Sequence, residues 1–484
     1  MAADVGSNAV RALRPAIALL LLAGAAGCAV GPTYRAPSAP SVTPEAFAAT
    51  SASLPATPPP DRWWTAMGDA ELTDLVEHAL ADNPDLAAAE ARVREARALA
   101  RATGASLWPK IDAAGDVSRD KLSRNGENLA LIPFTPPTTE FTDYRVGLDL
   151  SWEIDLAGGT RRQMEAATAR FGSQTETRND ARVVVAAEVA SAYIDERTAT
   201  HRAALARRSV EILSETARLV RLEYQAGLAS QSDLERAESD ELASSALPAS
   251  WDAADAVARA QLAALTGESP AALAAQLGAA GDLPAVPDVI PVGLPSDLLR
   301  RRPDIRLAER ELAAATADVG SAVAAQFPQL SLTGDGGFDS VRSGDLVRAA
   351  SRFFNLAPQL SVPLFNAGRL RREVEAAEAA RDAALASYRS TVLRAFADAE
   401  GAVVQLASGR KNAAGLAASA TTLDAAFRLE RLRFEAGDIS AVELLAAEQA
   451  ANRAADRGLD AAGAAGRAFV ALNKALGGGW QQAR

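Results

Sequence analysis

The sequence predicts a mainly α-helical protein that also carries a small β-sheet, and three observations lead to this fold class. Short motifs of one half of the chain return in the other half. Each half contains a proline-free stretch of helix-forming residues far longer than a globular domain uses. Segments in which apolar and polar residues alternate precede each of these stretches. We therefore predict one unit used twice, a β-hairpin followed by a pair of long antiparallel helices.

The repeat is defined by motifs that return in the same order. Asn83-Pro84-Asp85-Leu86 returns as Arg302-Pro303-Asp304-Ile305, and Tyr224-Gln225-Ala226-Gly227 returns as Phe434-Glu435-Ala436-Gly437. A feature that both copies share belongs to the architecture. We place the first repeat at residues 63–282, a linker at 283–300 and the second repeat at 301–484.

Four segments of about ten residues have the length and the alternation of a transmembrane β-strand. The clearest runs from Arg145 to Leu156, where even positions are apolar and odd positions are polar or glycine. A half-buried sheet of a soluble protein would alternate in the same way, so this alternative stays open on the strands alone. The predicted strands are about 108–118 and 141–156 in the first repeat, and about 328–339 and 353–365 in the second.

The strand count carries a consequence for assembly if the sheet lies in a membrane. Membrane barrels start at eight strands, and an open sheet edge is not stable in lipid. Four strands must then be shared between subunits. The count alone allows two, three or four copies.

The long helices are predicted from the absence of breakers. Between Gly159 and Gly227 there is no proline and one internal glycine, Gly172. A continuous helix of this length would extend for about 100 Å. A return helix follows each long one, and the first return helix is expected to be interrupted at Pro248. The predicted helices are about 160–226 and 232–266 in the first repeat, and about 370–436 and 440–476 in the second.

Residues 1–27 have the pattern of an export signal. Arg11 and Arg14 precede an apolar stretch that is too short to span a bilayer. Cys28 follows at once and is the only cysteine of the chain, so we predict that it is lipidated and becomes the mature N-terminus. A cleaved secretory signal with an incidental cysteine is the alternative. Residues 28–62 are rich in proline, alanine, serine and threonine, and are expected to run extended over the surface.

Composition argues against several classes of function. The net charge of −11 opposes a nucleic-acid partner, which would require a basic face. Two histidines and one cysteine, the latter assigned to the anchor, supply neither a Cys–His catalytic pair nor a multi-ligand zinc cluster. No GxxxxGK[ST] phosphate loop is present, so the chain cannot power transport itself. We predict no enzyme activity, no metal site and no cofactor beyond a covalent lipid on Cys28.

Several motifs, taken together, resemble the outer-membrane efflux lipoproteins, which are TolC/OprM-like channels of the NodT type. They fall in family order over essentially the whole mature chain. They are Cys28-Ala29-Val30-Gly31-Pro32-Thr33-Tyr34, Trp63-Trp64, Asn83-Pro84-Asp85-Leu86, Gly293-Leu294-Pro295-Ser296-Asp297-Leu298-Leu299 and Arg302-Pro303-Asp304-Ile305. The resemblance implies a homotrimer, with a twelve-stranded barrel in the outer membrane continued by an α-helical barrel across the periplasm. It also implies an exit duct for small molecules such as drugs, joined through a periplasmic adaptor to an inner-membrane pump of the resistance-nodulation-division type.

In the family that this sequence resembles, function concentrates where the long helices turn back. Asp233 and Glu443 each stand six residues after a tip glycine, and the resemblance implies that they line the periplasmic entrance of the channel. Acids that only complement a helix dipole are the alternative. The resemblance implies that the adaptor contacts the tips, which are Gly227 and Leu228 in the first repeat and Gly437 and Asp438 in the second.

Two other functions stay open at this point. A channel for type I protein secretion would look alike, because a passive duct carries no mark of its cargo. A structural periplasmic coiled-coil lipoprotein would have the helices without membrane strands, and the alternation at 145–156 counts against it.

Overall fold

The computed structural model describes residues 29–37, 47, 55–123, 139–277 and 281–481. The predicted signal peptide and Cys28 lie outside the described residues. The chain divides into two compact units, and each unit contains part of both repeats. The sheet unit comprises Met1–Ala36, Arg94–Gly172 and Glu309–Ala386, and the helical unit comprises Pro37–Val93, Ser173–Ala308 and Ser387–Arg484.

The sheet unit contains a four-stranded antiparallel sheet in the order β1-β2-β3-β4. The strands are β1 Lys110–Lys121, β2 Glu140–Ile154, β3 Gln329–Ser340 and β4 Arg352–Ser361. Because β2 pairs with β3, the sheet joins the hairpins of the two repeats. All four predicted strands are confirmed, with bounds that differ by a few residues.

The largest difference is at the end of the last strand. β4 ends at Ser361, whereas the prediction extended it to residue 365. Ser361 pairs with Gln329, the first residue of β3, so β3 provides no partner for β4 beyond this point. Leu364 and Phe365 follow outside the ladder, and each is 91% exposed in the single chain.

The register places most of the apolar positions of the four strands on one face of the sheet. Leu150 of β2 lies opposite Ile111 of β1 and Gly334 of β3, and Gly334 lies opposite Leu356 of β4. Directly opposed residues share a face. The next row lies on the other face and consists of Asp112, Asp149, Asp335 and Asn355. The predicted alternation therefore produces one apolar and one polar face.

Helices form most of the rest of the described chain. In chain order they are α1 Ala70–Asp82, α2 Pro84–Ala105, α3 Gly159–Gln225, α4 Gln231–Ser245, α5 Leu247–Thr266, α6 Pro270–Gln276, α7 Leu298–Arg301, α8 Pro303–Ala324, α9 Arg369–Glu435 and α10 Ala441–Ala475. Both long helices, α3 and α9, have 67 residues and match the prediction within one residue at each end. Within the described ranges, no helix is both long enough and apolar enough to cross a membrane.

The return helices also match the prediction closely. The first is interrupted at Ala246, between α4 and α5, two residues before the predicted break. Pro248 lies in the first turn of α5, where its missing N–H group would have no partner within the helix. In the second repeat, α10 is continuous.

Helices α2 and α8 were not predicted, although the repeated motif at which each begins was identified. Each has 22 residues and begins at a proline, Pro84 or Pro303. The side-chain oxygen of Asn83 accepts the N–H groups of Asp85 at 2.9 Å and Leu86 at 3.1 Å. The repeated Pro-Asp motif is therefore a helix start, which explains its presence in both copies.

The core of the helical unit includes residues of the N-terminal segment and of the predicted linker. Phe47 belongs to the segment predicted to run extended, yet it is only 2% exposed. The N–H of Val292, in the predicted linker, donates to the carbonyl oxygen of Pro55 at 3.0 Å. Ile290 and Val292 are buried as well. The expectation of an extended surface course therefore fails at Phe47, because a large apolar side chain gains from burial even in a proline-rich segment.

Candidate functional site

The first tip is a tight turn that one glycine makes possible. Gly227 has a φ of +72°, a conformation that glycine adopts without steric cost. The N–H of Leu228 donates to the carbonyl oxygen of Glu223 at 2.8 Å, and that of Gly227 donates to Tyr224 at 3.0 Å. This pair of bonds is the Schellman motif, which satisfies the last carbonyl groups of α3.

The second tip repeats this geometry. Gly437 has a φ of +80°. The N–H of Asp438 donates to the carbonyl oxygen of Arg433 at 2.9 Å, and that of Gly437 donates to Phe434 at 2.9 Å. No described atom lies within 4 Å of the position that a Cβ would take on either tip glycine. The backbone conformation, and not crowding, therefore requires glycine at both tips.

The acids at the tips cap their own return helices. In the first tip, the Ser230 hydroxyl accepts the N–H of Asp233 at 3.2 Å, and the Asp233 carboxylate accepts the N–H of Ser230 at 3.1 Å. Ser440 and Glu443 form the same capping box, at 3.2 Å and 2.8 Å. The sequence analysis did not identify the two serines, although the S-x-x-[DE] pattern before a helix would have revealed them.

These contacts keep both carboxylates charged. The pKa of Asp233 lies below its ordinary value of 3.8, because the Ser230 hydroxyl and backbone N–H both donate to it. The pKa of Glu443 lies below its ordinary value of 4.5, because the Ser440 N–H and hydroxyl donate to it. Both acids are exposed in the single chain. Each tip therefore presents a fixed negative charge at the start of a helix.

The tips also expose apolar side chains. Leu228 is 81% exposed, and Tyr224 and Phe434 are 41% and 40% exposed. Asp438, at the position that corresponds to Leu228, is exposed as well. Apolar side chains beside fixed charges are typical of a surface that a partner protein contacts.

The polar face of the sheet carries a second charged feature. Arg145 of β2 forms an ion pair with Asp335 of β3, and its guanidinium lies 4.3 Å from the centre of the Phe353 ring. Asn355 donates to the same aspartate at 3.1 Å. A shallow cavity of about 580 Å³ lies over this part of the face. Across the described residues, no group of three His, Cys, Asp or Glu side chains could hold a metal ion.

Comparison with known families gives one match that covers most of the chain. The family described as outer membrane efflux protein matches residues 75–268 and 294–478. The outer membrane protein OprJ of Pseudomonas aeruginosa is 31% identical over 477 residues, which are 96% of each chain. The pyoverdine export outer membrane protein OpmQ of the same species is 33% identical over 426 residues, 87% of this chain and 88% of that one.

Solved structures agree with the sequence comparison. The outer-membrane channel OprN superimposes with a TM-score of 0.83 at 33% identity, covering 94% of this chain and all of that one (100%). The CmeC outer membrane channel of Campylobacter jejuni superimposes with a TM-score of 0.84 at 25% identity, covering 94% of this chain and 96% of that one.

Proposed function

The chain belongs to the outer membrane efflux protein family, and from that membership we propose that three copies form the passive exit duct of a tripartite efflux system. Its relatives are outer membrane proteins of efflux and export systems, and its structural neighbours are outer-membrane channels. The predicted fold class and the predicted role as an efflux channel of the outer membrane are thereby confirmed. The trimer, the adaptor, the pump and the lipid anchor are the finer parts of the proposal.

The observation that carries the proposal is a sheet with one apolar face and two edges, β1 and β4, that pair with no further strand among the described residues. An apolar face suits lipid, but unpaired edges are not stable there. Pairing β4 of one copy with β1 of the next removes every edge once the ring closes. Three copies give twelve strands, an allowed barrel size and the one that the family resemblance implies. The polar face then lines a water-filled lumen.

The tips are the proposed docking point for a periplasmic adaptor. Leu228 and Asp438 lie at equivalent places in the two repeats, one apolar and one acidic. A partner that binds both tips must therefore provide two different pockets, one for an apolar and one for an acidic side chain. Asp233 and Glu443 are proposed to face the entrance, where threefold symmetry would arrange six carboxylates around one opening.

The pump that drives transport is proposed to be of the resistance-nodulation-division type and to lie in the inner membrane. Cys28 is proposed to carry the lipid that attaches the mature chain to the outer membrane. Mass spectrometry of the mature N-terminal peptide should show a diacylglyceryl adduct on Cys28, and Cys28→Ser should lose it. An unmodified N-terminus that begins elsewhere would remove the anchor from the proposal.

Small molecules are the proposed cargo, and a deletion strain tests this directly. Complementation with the wild-type gene should restore resistance to dyes, detergents or antibiotics and lower the accumulation of a fluorescent dye. The matched control is Gly227→Val, which distorts the proposed adaptor surface and should restore neither. A deletion that leaves dye accumulation unchanged but removes a protein from the culture medium would instead support type I secretion.

A further inference from the structure

One buried arginine holds the first described residues of the chain. Arg162, in the first turn of α3, is only 6% exposed. Its Nε donates to the carbonyl oxygen of Val30 at 3.1 Å, and its Nη2 donates to that of Gly31 at 3.3 Å. The same Nη2 lies 3.5 Å from the carbonyl oxygen of Ala29 and from the Thr33 hydroxyl. A single guanidinium therefore satisfies several groups of a short extended segment.

Glycines let this segment approach its surroundings more closely than side chains allow. A Cβ on Gly158 would lie 2.5 Å from the Cα of Ala29. A Cβ on Gly31 would lie 2.5 Å from the Cα of Gly320 in α8. Both Gly158 and Gly31 have a positive φ, at +81° and +86°. The N-terminal socket, as we name it, consists of Arg162, Gly158 and Gly320.

The N-terminal socket lies at one end of the sheet. The N–H of Val30 donates to the carbonyl oxygen of Ala157 at 3.0 Å, three residues after Ile154, the last residue of β2. Ile154 lies opposite Leu330, which lies opposite Leu360 near the end of β4. The exposed Leu364 and Phe365 follow that strand. The segment is thus fixed beside the end of β2, which carries Ile154 on the apolar face.

We propose that the N-terminal socket sets the position at which the lipid on Cys28 enters the bilayer, an inference that rests on the lipid anchor of the proposed function. Ala29 is covalently joined to Cys28, so the acyl chains start one residue from a fixed point beside the end of β2. If the N-terminal segment were flexible, the lipid could insert anywhere within its reach. A segment fixed by the N-terminal socket instead places the lipid beside the strands. This raises the effective concentration of the apolar face at the membrane and so favours insertion of the barrel. Arg162 is a positioning residue that acts through the lipid.

The test is a double-mutant cycle between Arg162→Ala and Cys28→Ser, measured as the fraction of full-length chain that assembles in the outer membrane. Arg162→Ala should lower assembly roughly tenfold in the lipidated protein, since several hydrogen bonds to a charged group are lost. Mass spectrometry should show the lipid still present on Cys28. In the Cys28→Ser background, the same change should have little further effect.

A second variant leaves Arg162 intact. A flexible Gly-Ser spacer inserted between Cys28 and Ala29 keeps the N-terminal socket occupied but releases the lipid from it. It should lower assembly as much as Arg162→Ala does. If Arg162→Ala lowers assembly equally in both backgrounds, the arginine has only a structural role and the inference is overturned. A spacer that leaves assembly unchanged would also overturn it. A wild-type chain without lipid would instead overturn the anchor itself.

Discussion

Leu150 of β2 lies directly opposite Ile111 of β1, on the apolar face of the sheet. Leu150→Arg would therefore place a charge toward lipid, at a cost of roughly 2–4 kcal/mol near the bilayer midplane. We expect much less assembled channel in the outer membrane, measured by heat-modifiable gel migration. Asp149→Arg is the matched control, since Asp149 faces Asp112 and Asp335 on the polar face. It should assemble normally and change conductance. The reverse result would mean that the faces are assigned the wrong way round.

The tip glycine gives a prediction that separates backbone conformation from packing. Gly227→Val should abolish drug resistance while leaving assembled channels, because valine does not adopt a φ of +72° without strain. Gly227→Asn should retain most of the resistance, since asparagine tolerates this conformation and the site has open space. Minimum inhibitory concentrations in the deletion strain measure both. Equal loss of resistance from both variants would show that position 227 requires the absence of a side chain, and not the backbone conformation of the turn.

The tip acids have a local role as caps and a proposed role at the entrance, and two sets of variants separate them. Asp233→Asn with Glu443→Gln removes the charge but keeps an oxygen that can accept from Ser230 and Ser440. It should reduce cation preference in planar bilayers with little loss of thermal stability. Alanine at both positions should reduce both quantities, because each capping box then loses the carboxylate that accepts the N–H of its serine. Unchanged cation preference in the amide variant would leave the acids as caps only.

The same acids predict a pH dependence. Their pKa values are lowered by hydrogen bonds from Ser230 and Ser440, so their capping contribution is present at neutral pH and is lost as the pH falls through the lowered values. We expect the cation preference of the channel to persist until the pH falls below the ordinary pKa values of the two carboxyls, because both pKa values are lowered. With Ser230→Ala and Ser440→Ala it should disappear at a higher pH. An identical titration in both proteins would contradict the assigned cause.

A buried ion pair in the helical unit predicts a large effect on stability. Arg197 of α3 is 1% exposed and donates to Glu71 at 2.5 Å and to the Tyr193 hydroxyl at 3.0 Å. Arg197→Met should lower the free energy of unfolding by about 3–5 kcal/mol, because it leaves partly buried carboxylates without their cation. Arg208→Met, which removes a half-exposed pair with Glu448, should cost at most about 1 kcal/mol. Denaturant unfolding of the solubilised protein measures both, and equal losses would contradict the assignment.

Local patterns in the sequence predicted the local structure well. The long stretches without proline predicted helices α3 and α9, and the alternation of apolar and polar residues predicted all four strands. Helices α2 and α8 were missed, although both begin at the repeated Pro-Asp motif. Contacts between distant residues could not be predicted either. The bond from Arg162 to Val30 joins residues far apart in the sequence, and no local pattern indicates it.

The pairing of β4 in one copy with β1 in the next is the central claim, and disulfide cross-linking tests it most directly. Cys28 is the only native cysteine and is expected to be blocked by lipid, so any disulfide that forms joins two introduced cysteines. One cysteine replaces Asp116 on the polar face of β1, and a second is scanned along β4 from Phe353 to Gln359. Oxidised membranes should show, for one register, a ladder on denaturing gels that ends at three chains. No cross-link at any register, or a ladder that ends at two or continues beyond three, would contradict the three-copy channel.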